Sequence, residues 1–140
     1  MRSQMGEEAP DVPVGFWPHW RKSGLTDPWE PLYSRRTGEA VYIGLRAGPA
    51  HSNSRGFVHG GLISALADNA MGLSCGHALG NVRLVTVNLT VDFIAAAEQG
   101  KWLEIRPEVV RVGSTLCFAT AEIYSDETLC ARANAIFRTI

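Results

Sequence analysis

Between residues 82 and 94 the chain reads VRLVTVNLTVDFI, and apolar and polar positions alternate: Val85, Val87, Leu89, Val91 and Phe93 against Thr86, Asn88, Thr90 and Asp92. A period of two sends the sets to opposite sides of a β-strand, which predicts a half-buried strand with one apolar and one polar face. Three more strands are predicted at 101–112, 115–125 and 128–139, joined by Glu98-Gln99-Gly100, Gly113-Ser114 and Ser125-Asp126-Glu127. Short connections join antiparallel neighbours, so these last four strands are expected to form a meander. Pro107 interrupts the second of them, and a proline without an N–H predicts a bulge or an edge there.

Residues 57–80 follow another period. On a helical wheel for 60–76, Leu62, Leu66 and Leu73, with Ile63 and Ala70 between them, form a bulky stripe. Gly61, Ser64, Ala65, Asp68, Gly72 and Cys75 form a second stripe of small residues. The helix opens at Gly60-Gly61 and is expected to end near Gly76 or Gly80. Its glycines and Asp68 break the apolar run, which reads as a core helix and not as a membrane span. Upstream, 32–36 and 39–46 read as two short strands around Thr37-Gly38, and 47–56 is loop by composition. Residues 14–31, VGFWPHWRKSGLTDPWEP, are rich in Trp and Pro; they predict a short helix and a turn, or a flap over something apolar. The polar residues 1–13 are expected to be a loose tail. The division is thus an N-terminal tail and Trp/Pro-rich segment, 1–31, and a single domain, 32–140. Strand, strand, long helix and four strands make an α+β arrangement, with one antiparallel sheet curving to cover the helix.

Composition narrows the partners. The 140 residues are 46% hydrophobic and carry a formal net charge of -1, with no Lys/Arg-rich block. Neither nucleic acid nor an anionic membrane is expected as a partner. Cys75, Cys117 and Cys130 are scattered in apolar segments without CxxC spacing, as reduced thiols of a cytoplasmic protein would be. The four histidines show no ligand spacing with them, so no metal site is expected. The N-terminus lacks the apolar core of an export signal.

Asp68 and the paired glycines carry the chemistry. Asp68 is the one acid in residues 57–80, and no Lys or Arg lies in that stretch to pair with it. A carboxylate in such surroundings tends toward a raised pKa, which suits a general base or a carboxylate nucleophile; the plainer reading is a solvent-facing or anchoring Asp. At the helix start the first backbone N–H groups have no intrahelical partner, and glycine at 60 and 61 leaves them open to a substrate oxygen, as in an oxyanion hole. The plainer reading of the glycines is a tight loop-to-helix turn. Gly60 and Asp68 are eight residues apart, about 12 Å along a helix rising 1.5 Å per residue, too far to touch one carbonyl. If both act on one bond, the Asp comes from a second copy running antiparallel, and the active unit is at least a homodimer.

Asn53, His59-Gly60-Gly61 and Ala67-Asp68, followed by TVNLTVDFI, form the spaced set N-x5-HGG-x6-AD before a TVxLxVDF strand. From about residue 39 to the C-terminus the chain resembles the hotdog-fold acyl-CoA thioesterases of the PaaI-like, 4-hydroxybenzoyl-CoA thioesterase-related branch. The resemblance implies a long central helix wrapped by a curved antiparallel β-sheet, and a dimer with two sites at the subunit interface, with a dimer of dimers as the expected tetramer. It implies that Asp68 activates water or attacks the thioester carbonyl. The Gly60 N–H would polarise that carbonyl, with Gly61 beside it on the substrate. Asn53 would hold the thioester or the attacking water, and His59 would orient the loop and the Asn. Thr86 falls where some members carry a water-positioning hydroxyl. Strand parity, however, sets it on the polar face with Asn88 and Thr90, so it would serve only by reaching across the interface.

The N-terminal third departs from the family, and there Phe16, Trp17 and Trp20, with Phe57, either line an acyl or aryl pocket or cover the open end of the helix. The expected reaction is hydrolysis of a coenzyme A thioester, with an aryl or short to medium acyl group, to a free acid and thiol. No cofactor beyond the coenzyme A of the substrate is required. Arg55, Arg83, Arg106 and Arg111 are candidates for its phosphates. Two alternatives stand: a hotdog enoyl-CoA hydratase and a non-catalytic acyl-CoA binding protein. The hydratase commonly uses a His and an Asp close together, whereas here the acid lies nine residues past His59, which favours hydrolysis. Sensors of this fold carry a DNA-binding domain, and 1–31 is too short and proline-rich for a helix-turn-helix.

Overall fold

A computed structural model describes residues 12–140; most of the stretch read as a loose tail, 1–11, lies outside the described residues. The elements run β1 (Trp17–Pro18), β2 (Tyr33–Thr37), β3 (Ala40–Arg46), α1 (Gly60–Ala78), β4 (Leu84–Phe93), β5 (Trp102–Val112), β6 (Leu116–Ser125) and β7 (Thr128–Thr139). Single 3-10 turns stand at Asp27–Trp29 and Pro49–His51. The strands form one antiparallel sheet in the order β1-β2-β3-β5-β6-β7-β4, with α1 as its one long helix. This is the hotdog arrangement. Among the described residues no helix is long and apolar enough to cross a membrane.

The predicted four-strand meander is corrected. β5, β6 and β7 do form one, but β4 pairs with β7 at the sheet edge, and β3 takes the place beside β5. The segment after β4 is no hairpin turn. Ile94 and Ala95 donate their N–H groups to the Cys130 carbonyl, and Ala97 O accepts from Val58 N–H. The chain thus crosses one end of the sheet, tied to the loop that precedes α1. Sequence spacing registers a connection's length but not which partner wins its edge. Pro107 lies just past Ile105, the last β5 residue paired with β3. No β3 neighbour is left there to miss its N–H.

α1 is held by its apolar face and by the small residues opposite it. Leu62, Ile63, Leu66, Ala67, Ala70, Met71, Ser74 and Cys75 are buried against Ala119, Ala121, Ala131, Ala133 and Ala135 of β6 and β7. Alanines on the sheet let the helix axis approach closely, and each fully buried Leu or Ile contributes about 1.5–3 kcal/mol. Two positions of the wheel are corrected. Cys75 faces the core, whereas Leu73 is only half-buried on the outer side; the apolar arc is centred nearer Ala67 and Met71. Buried Ser74 accepts the Val41 N–H at 2.9 Å and donates to Ala70 O at 2.7 Å, so the polar atom is matched.

The parity of β4 is also corrected. Thr86 pairs with Phe137, yet Asn88 pairs with the adjacent Ile136, leaving Val87 as an extra residue in a β-bulge. One added residue flips every side chain beyond it. Leu89, Val91 and Phe93 stand opposite buried Ala135, Ala133 and Ala131, on the helix side. Before the bulge, Thr86 takes the helix side, opposite buried Phe137, and Val85 and Val87 are left 44% and 56% exposed.

Candidate active site

The loop into α1 is built by hydrogen bonds that leave the Gly60 N–H open. Buried His51 accepts the Gly48 N–H at Nδ1 (2.9 Å), so in the neutral ring Nε2–H donates to Trp29 O, also at 2.9 Å. That pins the loop to the N-terminal segment. Asn53 Oδ1 accepts the N–H groups of Arg55 (2.9 Å) and Phe57 (3.1 Å), and its backbone N–H donates to Phe57 O at 2.7 Å. This is an Asx-type turn; the Asn53 amide NH2 has no hydrogen bond to the described residues. Phe57 is 41% exposed at the rim of the same loop.

His59 is the N-cap of α1. Its Nδ1 accepts the Gly61 N–H at 2.8 Å, and its own N–H donates to His51 O. Glycine at 61 suits the cap, because a Cβ there would crowd His59 Nδ1 at 3.0 Å. The Gly61 amide is therefore engaged, and Gly60 N–H, which has no partner among the described residues, is a donor left open at the positive end of the helix. A Cβ at Gly60 would meet the Phe93 ring at 3.0 Å.

Two turns further along α1, half-buried Asp68 accepts a hydrogen bond from the Thr86 hydroxyl at 2.6 Å on Oδ1. The contact lies within one chain and depends on the bulge at Val87. Strand parity concealed it: the residue expected to need the interface is already beside the acid, and no periodic signal could have shown the extra residue. No ion pair reaches Asp68 among the described residues. One chain thus holds the candidate residues in two separate groups: Asn53, Phe57, His59, Gly60 and Gly61 at the start of α1, and Asp68 with Thr86 in its middle. The same continuous helix keeps them apart.

Beside Asp68 lies a cleft of about 550 Å³ between the second half of α1, the start of β4 and residues 19–23 of the N-terminal segment. The aromatic residues named as pocket candidates separate here. Trp20 lines the cleft. Phe16 is buried elsewhere, edge-on to Trp102 at 5.2 Å, and Trp17 is 74% exposed. Phe57 belongs to the loop before α1. Of the four arginines considered for phosphates, Arg83 lines the cleft, whereas Arg106 donates to Glu104 at 2.7 Å and stacks on Tyr124.

The sequence profile of the thioesterase superfamily matches residues 55–131. The chain is 36% identical over 129 residues to PA0474 of Pseudomonas aeruginosa, provisionally named an esterase; the match covers 91% of this chain and 96% of that protein. It is 30% identical over 99 residues to human acyl-coenzyme A thioesterase 13, with 69% of each chain covered. Solved structures share the fold. The phenylacetic acid degradation protein PaaI of Thermus thermophilus has a TM-score of 0.71 at 21% identity, covering 78% of this chain and 93% of that one. A hypothetical thioesterase protein of Streptococcus pneumoniae, solved with coenzyme A, has a TM-score of 0.72 at 21% identity, covering 79% and 90%.

Proposed function

Because the chain belongs to the thioesterase superfamily and is a thioester hydrolase, we propose that it acts on acyl-coenzyme A as a homodimer whose sites each combine half-sites from two subunits. The thioester carbonyl oxygen lies on the Gly60 N–H of one subunit, and Asp68 of the other faces the carbonyl carbon. Asp68 takes a proton from water as the hydroxyl oxygen bonds to that carbon, or its carboxylate attacks to give a mixed anhydride that water then opens. In both cases the negative charge grows on the carbonyl oxygen, where a helix N-terminus stabilises it. On the water route the C–S bond then breaks and the thiolate takes up the proton held by Asp68; on the anhydride route the C–S bond breaks as the anhydride forms, and the thiolate is protonated from the water that opens it. No further cofactor takes part.

The observation that carries this reading is the 2.6 Å hydrogen bond from Thr86 to Asp68. It holds one carboxylate oxygen and so aims the other. His59 orients the helix start, and Asn53 shapes the loop and offers its free amide to the substrate. The human relative is an acyl-coenzyme A thioesterase and the Streptococcus protein was solved with coenzyme A, which supports the same substrate class here. The reading includes residues 32–140 as the catalytic domain, a dimer of dimers as the assembly, and a cytoplasmic location that suits three free, buried thiols.

The test is thiol release from acyl-CoAs by Asp68→Ala and Asp68→Asn. Turnover falls by orders of magnitude while the circular dichroism spectrum is kept; near-normal turnover ends the proposal. Mixing Asp68→Ala with Gly60→Ala subunits restores activity, since each mixed dimer regains one intact site. Failure of such mixtures to recover activity rules out the shared site.

A further inference from the structure

Phe93 is the last residue of β4, and the fold sets it against the start of α1. Beyond the bulge at Val87 the side chains of Leu89, Val91 and Phe93 fall on the helix side, and Phe93 stands opposite buried Ala131. The chain that follows is tied down. Ile94 and Ala95 donate to Cys130 O at 2.9 and 3.1 Å, Ala97 O accepts the Val58 N–H at 2.9 Å, and Gln99 Nε2 donates to Gly56 O at 3.2 Å. Strand end, crossing segment and helix loop are thus one hydrogen-bonded unit.

The tip of the ring meets the helix. A Cβ built on Gly60 would stand 3.0 Å from Phe93 Cζ, 3.2 Å from Cε1 and 3.6 Å from Cε2. The ring therefore occupies space that a side chain at residue 60 would need. Two rings flank two successive amides, with opposite results. His59 accepts the Gly61 N–H through Nδ1 at 2.8 Å. Phe93 offers only carbon, so it covers Gly60 without taking its N–H, which has no partner among the described residues. The edge of an aromatic ring is its positive rim, so negative charge growing near Gly60 meets no opposing pole from that side. Gly60 is half-buried although His59 before it is exposed. Ser64 Oγ donates to Gly60 O at 2.9 Å and fixes the other peptide of the same residue. The phenyl ring is itself 56% exposed, and the rest of its apolar surface is free next to the open donor.

We propose that Phe93 is a positioning residue for the reaction: its ring keeps water off the strand side of Gly60 and so reserves the Gly60 N–H for the thioester carbonyl oxygen. The inference rests on the Gly60 N–H as the carbonyl polariser. A donor shielded from water stabilises a developing oxyanion more than a solvated one, because it acts in a lower local dielectric and has no water to give up. The benefit falls on the transition state, where the oxygen carries the most charge. Loss of the ring is therefore read in kcat and not in KM.

The test is thiol release from octanoyl-CoA by Phe93→Ala, Phe93→Met and Gly60→Ala, with Gly60→Ala/Phe93→Ala completing a double-mutant cycle. Phe93→Ala lowers kcat about tenfold, less than the roughly 10²–10³ that removal of an oxyanion donor costs, with KM within about twofold. Phe93→Met, apolar and of similar reach, restores most of the rate. Gly60→Ala keeps the N–H but displaces the ring, so its loss of kcat shrinks once residue 93 is alanine; the two changes are coupled. Losses that simply multiply overturn the proposal, as does a methionine variant as slow as the alanine one. So does a loss that lies wholly in KM, which assigns the ring to substrate binding. A second measurement needs no turnover. Affinities are compared for two coenzyme A analogues, a ketone with a methylene in place of the thioester sulfur and a thioether without the carbonyl. The parent binds the ketone more tightly, and Phe93→Ala cuts that preference about threefold. A preference unmoved by Phe93→Ala overturns the role of the ring alone. A parent without any preference refutes Gly60 as the polariser and this proposal with it, whereas a parent that prefers the ketone yet releases no thiol refutes the hydrolytic reading alone.

Discussion

Thr86→Val removes one hydroxyl and nearly preserves the side-chain shape. Valine suits an edge strand, and a change at this exposed position shifts stability by only about 0.5 kcal/mol. What is lost is the hydrogen bond to Asp68 Oδ1 at 2.6 Å. A hydrogen bond to a charged group is worth about 1.5–3 kcal/mol. Thr86 is exposed and Asp68 half-buried, so water replaces part of the interaction and the lower figure applies. About 1.5 kcal/mol in the transition state is roughly a tenfold loss of turnover. The loss is expected in kcat with KM little changed, because Thr86 orients the acid and does not hold the acyl group. The measurement is thiol release under saturating octanoyl-CoA, with Thr86→Ser restoring most of the rate. A valine variant within twofold of the parent kcat refutes the positioning role, as would a serine variant as slow as the valine one.

Two further outcomes follow from groups outside the reaction. Burial holds the His19 imidazole below its ordinary pKa of 6.5, against the pull of Glu30. The unfolded chain therefore binds the proton first as pH falls. The stability tied to neutral His19 is complete above pH 6.5 and is lost as pH drops through that value toward the folded pKa. His19→Phe should show a smaller fall in Tm between pH 7.5 and 5 than the parent; parallel curves would contradict this. Burial also pushes the Cys75 thiol far up and the Cys130 thiol up to about 11, and Cys117 is buried as well. The folded protein should give almost no fast reaction with a disulfide reagent at pH 8, and three thiols after unfolding in guanidinium. Rapid labelling of the native protein would show these sites to be open.

Patterns that act locally were legible. The helix from Gly60 to Ala78 and the short strands β2 and β3 lie within two residues of their predicted limits, because periodicity and glycine punctuation are properties of neighbouring residues. The separation of Gly60 from Asp68 was legible for the same reason: a helix converts sequence distance into length. Thr86 was not. Its face depends on whether β4 matches β7 residue for residue, and Val87 is extra only relative to Ile136 and Phe137. The β3–β5 pairing was hidden likewise, since strands far apart in the chain compete for one edge and nothing local records the winner.

The sequence by itself determined a small-residue helix bearing one isolated carboxylate, a pair of glycines at its start, and strands enough to wrap that helix. Those follow from steric and hydrogen-bonding preferences that operate over a few residues. Only the tertiary structure decided that a bulge turns Thr86 onto Asp68, that the Gly61 amide is taken and Gly60's is left, and that residues 19–23 close a cleft lined by Trp20. The first and the last of these are contacts between segments distant in the chain. Such contacts are selected by the packing of the whole sheet around the helix, a competition to which every strand contributes and which no single stretch encodes.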